Sequence, residues 1–390
     1  MKGNQYMLLP GPTYIPERVQ RAMSRPMINH RGAAFRDMQE EILAGIKQVY
    51  RTEQNLLIYP SSGTGGLEAA VANFVAPGDK VLAVSIGVFG DRLAEIAETF
   101  GAQVQSIKVP WGQAVDPEEV GARLAEDRNH DIKAVLITHN ETSTGVFNDL
   151  KGVRRAMGNH PALTIVDSVS GLAAADLRMD EWGLDAVVSG SQKAFSIPPG
   201  LSFLAFSERA LAKHRTNPQP NFYWSVDFGM EYQAKGQTPF TPPISLYFGL
   251  QEALRMMLNE GLENVLARHD GYRRLVRNAV QAIGLNPLAD AVSASPAVTS
   301  VWMPEGIAAN ELRQYLLNNF NVVVAGGQQS LDNKIIRIGH LGSVRELDLL
   351  AVIAALEIGL RQMGYPVELG RAVAAAQEQI FQGTGDRRQG

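Results

Sequence analysis

The sequence predicts an α/β protein: a large domain on a mostly parallel seven-stranded sheet covered by helices, then a smaller α+β domain towards the C-terminus. Three observations lead there. Short apolar runs alternate with longer helix-like stretches through the first half of the chain. Elements alternating at these lengths read as parallel strands joined by helical crossovers. The rhythm breaks after Asn217-Pro218-Gln219-Pro220, and the 390 residues exceed what one hydrophobic core usually organises.

The strand-like runs are Leu56–Tyr59, Lys80–Ser85, Val104–Val109, Lys133–Thr138, Leu163–Asp167, Asp185–Ser189 and Leu201–Phe206. Each is a short, largely apolar segment bounded by polar or turn-forming residues. Helical stretches at Gly65–Ala76, Arg92–Gly101, Glu118–Asp127 and Asp149–Asn159 separate the earlier ones. Past the proline-rich break, long helices are expected at Ile244–Glu260 and Leu262–Ile283. Strands near Val298–Met303, Val322–Val324 and Ile335–Ile338 then combine with helices at Ala308–Asn319 and Val344–Met363. The expected organisation is an N-terminal segment, residues 1–20, packing with the small domain; a large domain, 21–260; and a small domain, 261–365. Residues 366–390 add an extra helix over Arg371–Phe381 and a Gly/Gln/Arg-rich tail that frays from about Gly383.

Composition narrows the function. With 45% hydrophobic and 19% charged residues the chain reads as an ordinary soluble enzyme. A net charge of -4 and no basic run argue against nucleic acid as a partner. The absence of cysteine excludes disulfides and Cys-ligated zinc, and no metal site is expected. Met1 to Pro12 lack the charged-then-apolar layout of a signal peptide, and no apolar run approaches the roughly 18 residues of a membrane span. A cytoplasmic location with no membrane contact is the expectation.

Three motifs carry chemistry. In Val187-Val188-Ser189-Gly190-Ser191-Gln192-Lys193-Ala194 an apolar strand ends in small polar residues and then a lysine. Desolvation at such a strand mouth lowers an amine's pKa and frees its nucleophilic form, although most lysines in this position are simply solvated. Leu163-Thr164-Ile165-Val166-Asp167-Ser168-Val169 ends in an acid at a strand terminus, where open α/β sheets bind ligands. An Asp there also serves as a helix cap or turn former. Pro60-Ser61-Ser62-Gly63-Thr64-Gly65-Gly66, leading into Leu67-Glu68-Ala69-Ala70, offers hydroxyls and free N–H groups to an anion. An anion cradle, an acid and a lysine, in that order, match a phosphate, a pyridine nitrogen and an aldehyde. Those are the parts of pyridoxal 5′-phosphate.

Six segments together resemble class V aminotransferases: Pro10-Gly11-Pro12-Thr13, Ser62-Gly63-Thr64, Glu141-Thr142-Ser143-Thr144-Gly145-Val146, Val166-Asp167-Ser168-Val169, Ser189-Gly190-Ser191-Gln192-Lys193 and Arg337-Ile338-Gly339. The resemblance runs from about residue 8 to 360 and is strongest to the alanine–glyoxylate and serine–pyruvate (serine–glyoxylate) branch. It implies the fold type I architecture, a homodimer with shared sites, and roles for named residues. Lys193 would hold the cofactor as a Schiff base and carry the proton transfer, and Asp167 would keep the pyridine nitrogen protonated. Ser62, Gly63, Thr64 and Gln192 would take the phosphate, and Val169 would contact the cofactor. Phe89 aligns with an aromatic that stacks on the ring, its alternative being a plain core position. Thr142 aligns with a hydroxyl, usually Ser, that bonds the phenolic oxygen.

Arg337 interrupts an apolar strand, where an unpaired charge is costly. The resemblance makes it the fork for the substrate α-carboxylate, and an ion pair is the alternative. Thr241, in Thr238-Pro239-Phe240-Thr241-Pro242-Pro243, resembles a threonine that reaches the partner's phosphate, with local spacing off by about one residue. Asn29-His30-Arg31-Gly32 matches a segment whose His-Arg pair contacts the distal group of acidic substrates in related branches. Arg31 either does the same or forms a dimer-interface contact. His139 and His340 flank site motifs as hydrogen-bonding scaffold. Lack of cysteine excludes a cysteine desulfurase of the same superfamily.

The expected activity is ping-pong transamination from a small amino acid, alanine or serine, to a 2-oxo acid such as glyoxylate or pyruvate. The alternatives are an aspartate-type or other class V aminotransferase, or a lyase, on this scaffold. From another class, a nicotinamide-dependent dehydrogenase is disfavoured because Ser62–Gly66 lacks the full Gly-x-Gly-x-x-Gly pattern.

Overall fold

The computed structural model describes residues 5–216 and 219–386. In chain order its strands are β1 (Tyr6–Leu8), β2 (Asn55–Tyr59), β3 (Lys80–Ser85), β4 (Gln103–Lys108), β5 (Ile132–Thr138), β6 (Asn140–Glu141), β7 (Val146–Phe147), β8 (Leu163–Asp167), β9 (Ala186–Gly190), β10 (Ser202–Phe206), β11 (Val298–Trp302), β12 (Val322–Gly326) and β13 (Ile335–Gly339). Seven of them make the large sheet in the order β2-β10-β9-β8-β5-β3-β4. All its pairings are parallel except those of β10, which runs antiparallel to both β2 and β9. Every residue of β8, β9 and β10 is buried, as expected of strands covered on both faces. Edge strand β4 is mostly exposed instead, with only Ile107 fully buried, which is why its sequence reads less clearly as a strand.

Parallel pairing places like ends together, and this positions the chemistry. β8 ends on Asp167, opposite Val188 of the parallel neighbour β9. Lys193 follows β9 within a few residues. Two motifs distant in sequence thus emerge side by side at the C-terminal edge of the sheet.

Helix Gly63–Phe74 starts two residues earlier than expected, despite glycines that oppose helix formation in isolation. It packs against β9 and β10. A Cβ on Gly63 would come within 2.6 Å of Val169 Cγ2, so only glycine permits this approach. Helix Val88–Thr99 likewise begins four residues before the expected Arg92 and brings Phe89 into its first turn. Two helices not placed by the sequence analysis, Glu17–Met23 and Ala33–Tyr50, lie against helix Ile244–Glu260. The second buries Phe35, Met38, Ile42, Ile46 and Val49 at helical spacing.

Four of the remaining strands form a second sheet, β1-β12-β13-β11, while β6 and β7 pair only with each other as an antiparallel hairpin. β1, from the N-terminus, pairs in parallel with β12, and Leu8 enters the same apolar cluster as Val324 and Ile336. Helix Arg371–Asp386 packs on helix Leu262–Ala282, so the extra helix extends past its expected end at Phe381. The last four residues of the tail, Met1–Asn4, and Asn217-Pro218 of the proline-rich break lie outside the described residues. Among the described residues no helix is long and apolar enough to cross a membrane.

Candidate active site

A cavity opens at the C-terminal edge of the large sheet, lined by Ser62, Gly63, Thr64, Phe89, Thr142, Asp167, Val169, Gln192 and Lys193. Leu67, Arg92, Asn140 and Ser170 complete the lining. Nine residues singled out in the sequence therefore converge, from five separate segments. A larger cavity of about 630 Å³ lies elsewhere, along helix Leu262–Ala282 and helix Arg371–Asp386, and includes none of them.

Lys193 donates from Nζ to the carbonyl of Pro10 at 2.9 Å, so the N-terminal Pro10–Thr13 segment roofs the amine. Thr13 reinforces that contact through its hydroxyl to the Lys193 carbonyl, at 2.9 Å. Burial pushes the Lys193 amine down to about 8; Asp167 opposes this, while Arg337 and Arg92 add to it. Asp167 is 4% exposed and accepts the Val169 N–H at 2.9 Å. Burial raises its carboxyl to about 6 against the pull of that N–H, of Lys193 and of Arg92. A nucleophilic amine and a carboxylate thus share one low-dielectric site with their pKa values drawn together.

Ser62, expected to meet an anion, occupies the N-cap of helix Gly63–Phe74, and its side chain makes no capping bond there. Gln192 Oε1 is buried without a partner among the described residues. Phe89 is half-buried, with the Arg92 guanidinium 4.8 Å from its ring centroid. Thr142 sits in the turn between β6 and β7, 3% exposed.

Arg337, on β13 of the small sheet, reaches this cavity's wall across the two layers. Its Nη1 donates to the Thr142 carbonyl at 2.8 Å, and its Nε to the Gly326 carbonyl at 2.7 Å. Nη1 also meets Gln328 Oε1 at 3.3 Å. The residue is 7% exposed and, among the described residues, has no ion pair. The ion-pair alternative raised by the sequence is therefore not formed in this chain. Burial lowers the guanidinium to about 10, with Glu141 opposing.

Two anticipated residues stay away from the cavity within one chain. Thr241 is exposed in the loop before helix Ile244–Glu260. Arg31 donates to Gln237 Oε1 at 2.8 Å and to the Thr238 carbonyl at 2.7 Å, bracing that same loop. His139 is buried, bonded to the Ser168 hydroxyl at 3.0 Å, and burial takes it down to about 4. His340 contacts the Thr299 hydroxyl at 3.0 Å. Sequence reasoning missed Arg92 and Glu141. Arg92 lies three residues after Phe89, a helical spacing that carried the signal had the helix start been placed earlier. Glu141 lay in view inside a quoted motif, but nothing local marks an acid as buried.

Comparison with known proteins agrees with this geometry. The family model for aminotransferase class V matches residues 6–345. The chain is 42% identical to the small subunit of a soluble hydrogenase from Synechococcus sp. (strain PCC 6716), over 96% of this chain and 98% of that one. It is 40% identical to the L-aspartate–glyoxylate aminotransferase of Paracoccus denitrificans, over 98% of each. Among solved structures, the alanine–glyoxylate aminotransferase of Nostoc sp. superposes with a TM-score of 0.88 at 33% identity, covering 93% of this chain and 96% of that one. The family model and the relatives span nearly the whole chain, and the chain belongs to the class V aminotransferase family.

Proposed function

We propose that the protein transfers an amino group from a small amino acid, alanine or serine, to glyoxylate or a similar small 2-oxo acid, using pyridoxal 5′-phosphate. The observation that carries this reading is the meeting of Lys193 and Asp167 in one cavity, with Arg337, which has no ion pair among the described residues, bonded to the carbonyl of the lining residue Thr142. The cavity suits the cofactor: an uncapped helix start with the Ser62 and Thr64 hydroxyls for the phosphate, a carboxylate for the ring nitrogen, and an amine for the aldehyde. When bound, the cofactor supplies an electron sink for the charge left on the substrate carbon after proton loss. The protein's own groups do the rest. Asp167 keeps a proton on the ring nitrogen, Lys193 moves the proton at the substrate α-carbon, and Arg337 receives the α-carboxylate. The N-terminal segment roofing Lys193 limits water near that amine.

Glyoxylate as acceptor is supported by the names of the Paracoccus and Nostoc proteins. The Paracoccus name also carries aspartate, a dicarboxylic donor; against such a donor here, Arg31 is committed to Gln237 and Thr238 in its own chain. The hydrogenase name stays with the Synechococcus protein; the cavity here presents an amine, a carboxylate and a guanidinium, the groups that amino-acid chemistry needs. Steady-state rates with a panel of donors against glyoxylate, pyruvate and 2-oxoglutarate test the reading. The highest kcat/KM should fall on alanine or serine with glyoxylate. No amino transfer with any pair would overturn it.

Arg337→Lys keeps the charge but loses the planar fork. It should raise KM for amino acid and keto acid alike, by about 1–3 kcal/mol in binding, because both present the same carboxylate. Cofactor absorbance should be unchanged. Kinetics equal to wild type would remove Arg337 from the substrate site.

We also infer a homodimer that completes the site. Phe222, Tyr223 and Phe228 are 68%, 41% and 37% exposed, and Tyr223 stacks on Phe240 at 4.8 Å. An exposed aromatic surface of this kind marks an interaction face. It adjoins the loop that carries Thr241 and that Arg31 braces, the segment expected to reach a partner's phosphate. Sedimentation at assay concentration should give a dimer, and Thr241→Ala should weaken cofactor retention. A fully active monomer would contradict the arrangement.

A further inference from the structure

We propose that Glu141 is a positioning residue for the substrate carboxylate, locking the wall that carries Phe89 to the wall that holds Arg337. The inference deepens the function proposed above and rests on it. Glu141 Oε2 accepts the backbone N–H groups of Phe89 at 2.9 Å and of Gly90 at 3.1 Å. Its Oε1 accepts the Ser143 N–H at 3.1 Å and the Ser143 hydroxyl at 2.6 Å. The Ser143 oxygen accepts in turn from the Val88 N–H, at 3.1 Å. The first three N–H groups of helix Val88–Thr99 are thus satisfied from the β6–β7 hairpin, and the positive end of that helix faces a carboxylate.

Between Glu141 and Ser143 lies Thr142, whose carbonyl holds Nη1 of Arg337. One carboxylate therefore ties together the aromatic wall, the Thr142 turn and, through that turn, the guanidinium. Close contact is built in: a Cβ on Gly87 would meet Glu141 Cγ at 2.6 Å and the Ser143 Oγ at 2.5 Å.

Shape alone does not explain an acid here. Glu141 is 0% exposed and, among the described residues, makes no ion pair. Burial pushes its carboxyl up to about 6, against the Ser143 and Gly90 donors, and Asp167 adds to the rise. Holding a charge in that place is expensive unless every acceptor site is used. All four contacts require an acceptor. Glutamine offers one acceptor oxygen and would turn its own N–H₂ towards backbone or hydroxyl donors. The charge also acts on Arg337, whose protonated form it favours.

The test uses purified enzyme carrying its cofactor. Binding of propionate, a carboxylate that cannot react, is followed by the change in cofactor absorbance, and KM and kcat are measured with alanine and glyoxylate. In Glu141→Gln the propionate Kd and both KM values should rise about tenfold or more, the loss expected when a charge-assisted contact slips out of line. Cofactor content should stay close to wild type, Tm should fall modestly because buried donors lose their acceptor, and kcat should fall less than KM rises. A folded Glu141→Gln protein with wild-type propionate affinity would overturn the proposal. So would a fall in Tm and cofactor content with carboxylate affinity intact, which is the pattern of a merely structural role. Should Glu141→Gln fail to fold, Ser143→Ala decides, because it removes the Val88 link and one of the two Oε1 contacts. A smaller rise in propionate Kd there supports the clamp, and no change refutes it. Wild-type enzyme inactive with every donor and acceptor would instead sink the proposed function, so the two failures are distinct.

Discussion

Lys193→Ala is expected to abolish amino transfer while the protein stays folded and keeps residual affinity for the cofactor. The lysine follows a fully buried strand and donates to one carbonyl, and Asp167, which loses its pull, keeps the Val169 N–H and the charge of Arg92. What is lost is the only amine that lines the cavity among the described residues. Loss of acid–base catalysis alone removes a factor on the order of 10²–10⁴, and loss of the covalent attachment adds to it. Purified wild-type protein should be yellow, and borohydride should fix the cofactor on the peptide that contains Lys193. Residual binding in the variant should depend on the phosphate, because Ser62, Gly63, Thr64 and Gln192 are untouched. In protein freed of cofactor, labelling of Lys193 should also depend on pH in a definite direction. The neutral amine is the nucleophile, and burial brings it down to about 8. Labelling by pyridoxal 5′-phosphate with borohydride should therefore accelerate from about pH 7 to about pH 9 and then level off. A colourless protein, or an adduct on another lysine, would sink the reading.

Asp167→Asn should lose activity on the order of 10²–10³-fold while leaving the fold intact, as expected when one preorganised charge is removed from a buried site. Asparagine has the same shape and can still accept the Val169 N–H. It cannot hold a proton on a pyridine nitrogen, because it carries no charge. Stability should move the other way. The Asp167 carboxyl is raised from its ordinary 3.8 to about 6 in the folded chain. Its protonated form therefore favours folding, and that contribution is lost as pH rises through about 6. At neutral pH the buried carboxylate opposes folding of the cofactor-free protein, and the asparagine removes that penalty. The variant freed of cofactor should melt no lower than wild type at neutral pH. A kcat near wild type would remove Asp167 from the site, and a large loss of Tm would make its role structural.

The order of elements was legible because the strands of the large sheet, edge strand β4 apart, are short apolar runs. Ile244–Glu260 was read to the residue, since a long, strongly helical stretch between turn residues marks both its ends. Helix starts were harder. Val88–Thr99 has glycine at its N-cap and no local side-chain cap; its cap comes from Glu141 and Ser143, far along the chain. Gly63–Phe74 begins in glycines that only helix–sheet packing makes acceptable. Helix Ala33–Tyr50 had the right period, yet its apolar stripe acquires meaning only against helix Ile244–Glu260.

The same division runs through the site. Lys193, Asp167 and the Ser62–Thr64 loop were readable in the sequence, because a lysine or acid closing an apolar strand and a hydroxyl–glycine run before a helix are local patterns. Tertiary structure alone decided that Asp167 and Lys193 meet, since parallel pairing of β8 with β9 sets their ends side by side. It alone decided that Arg337 has no ion pair among the described residues, that Arg31 braces a loop, and that Glu141 accepts from the start of helix Val88–Thr99. Residue type and spacing reveal what a side chain is able to do. Burial and the identity of distant partners, which set pKa and orientation, arise only when segments far apart in the chain are packed together.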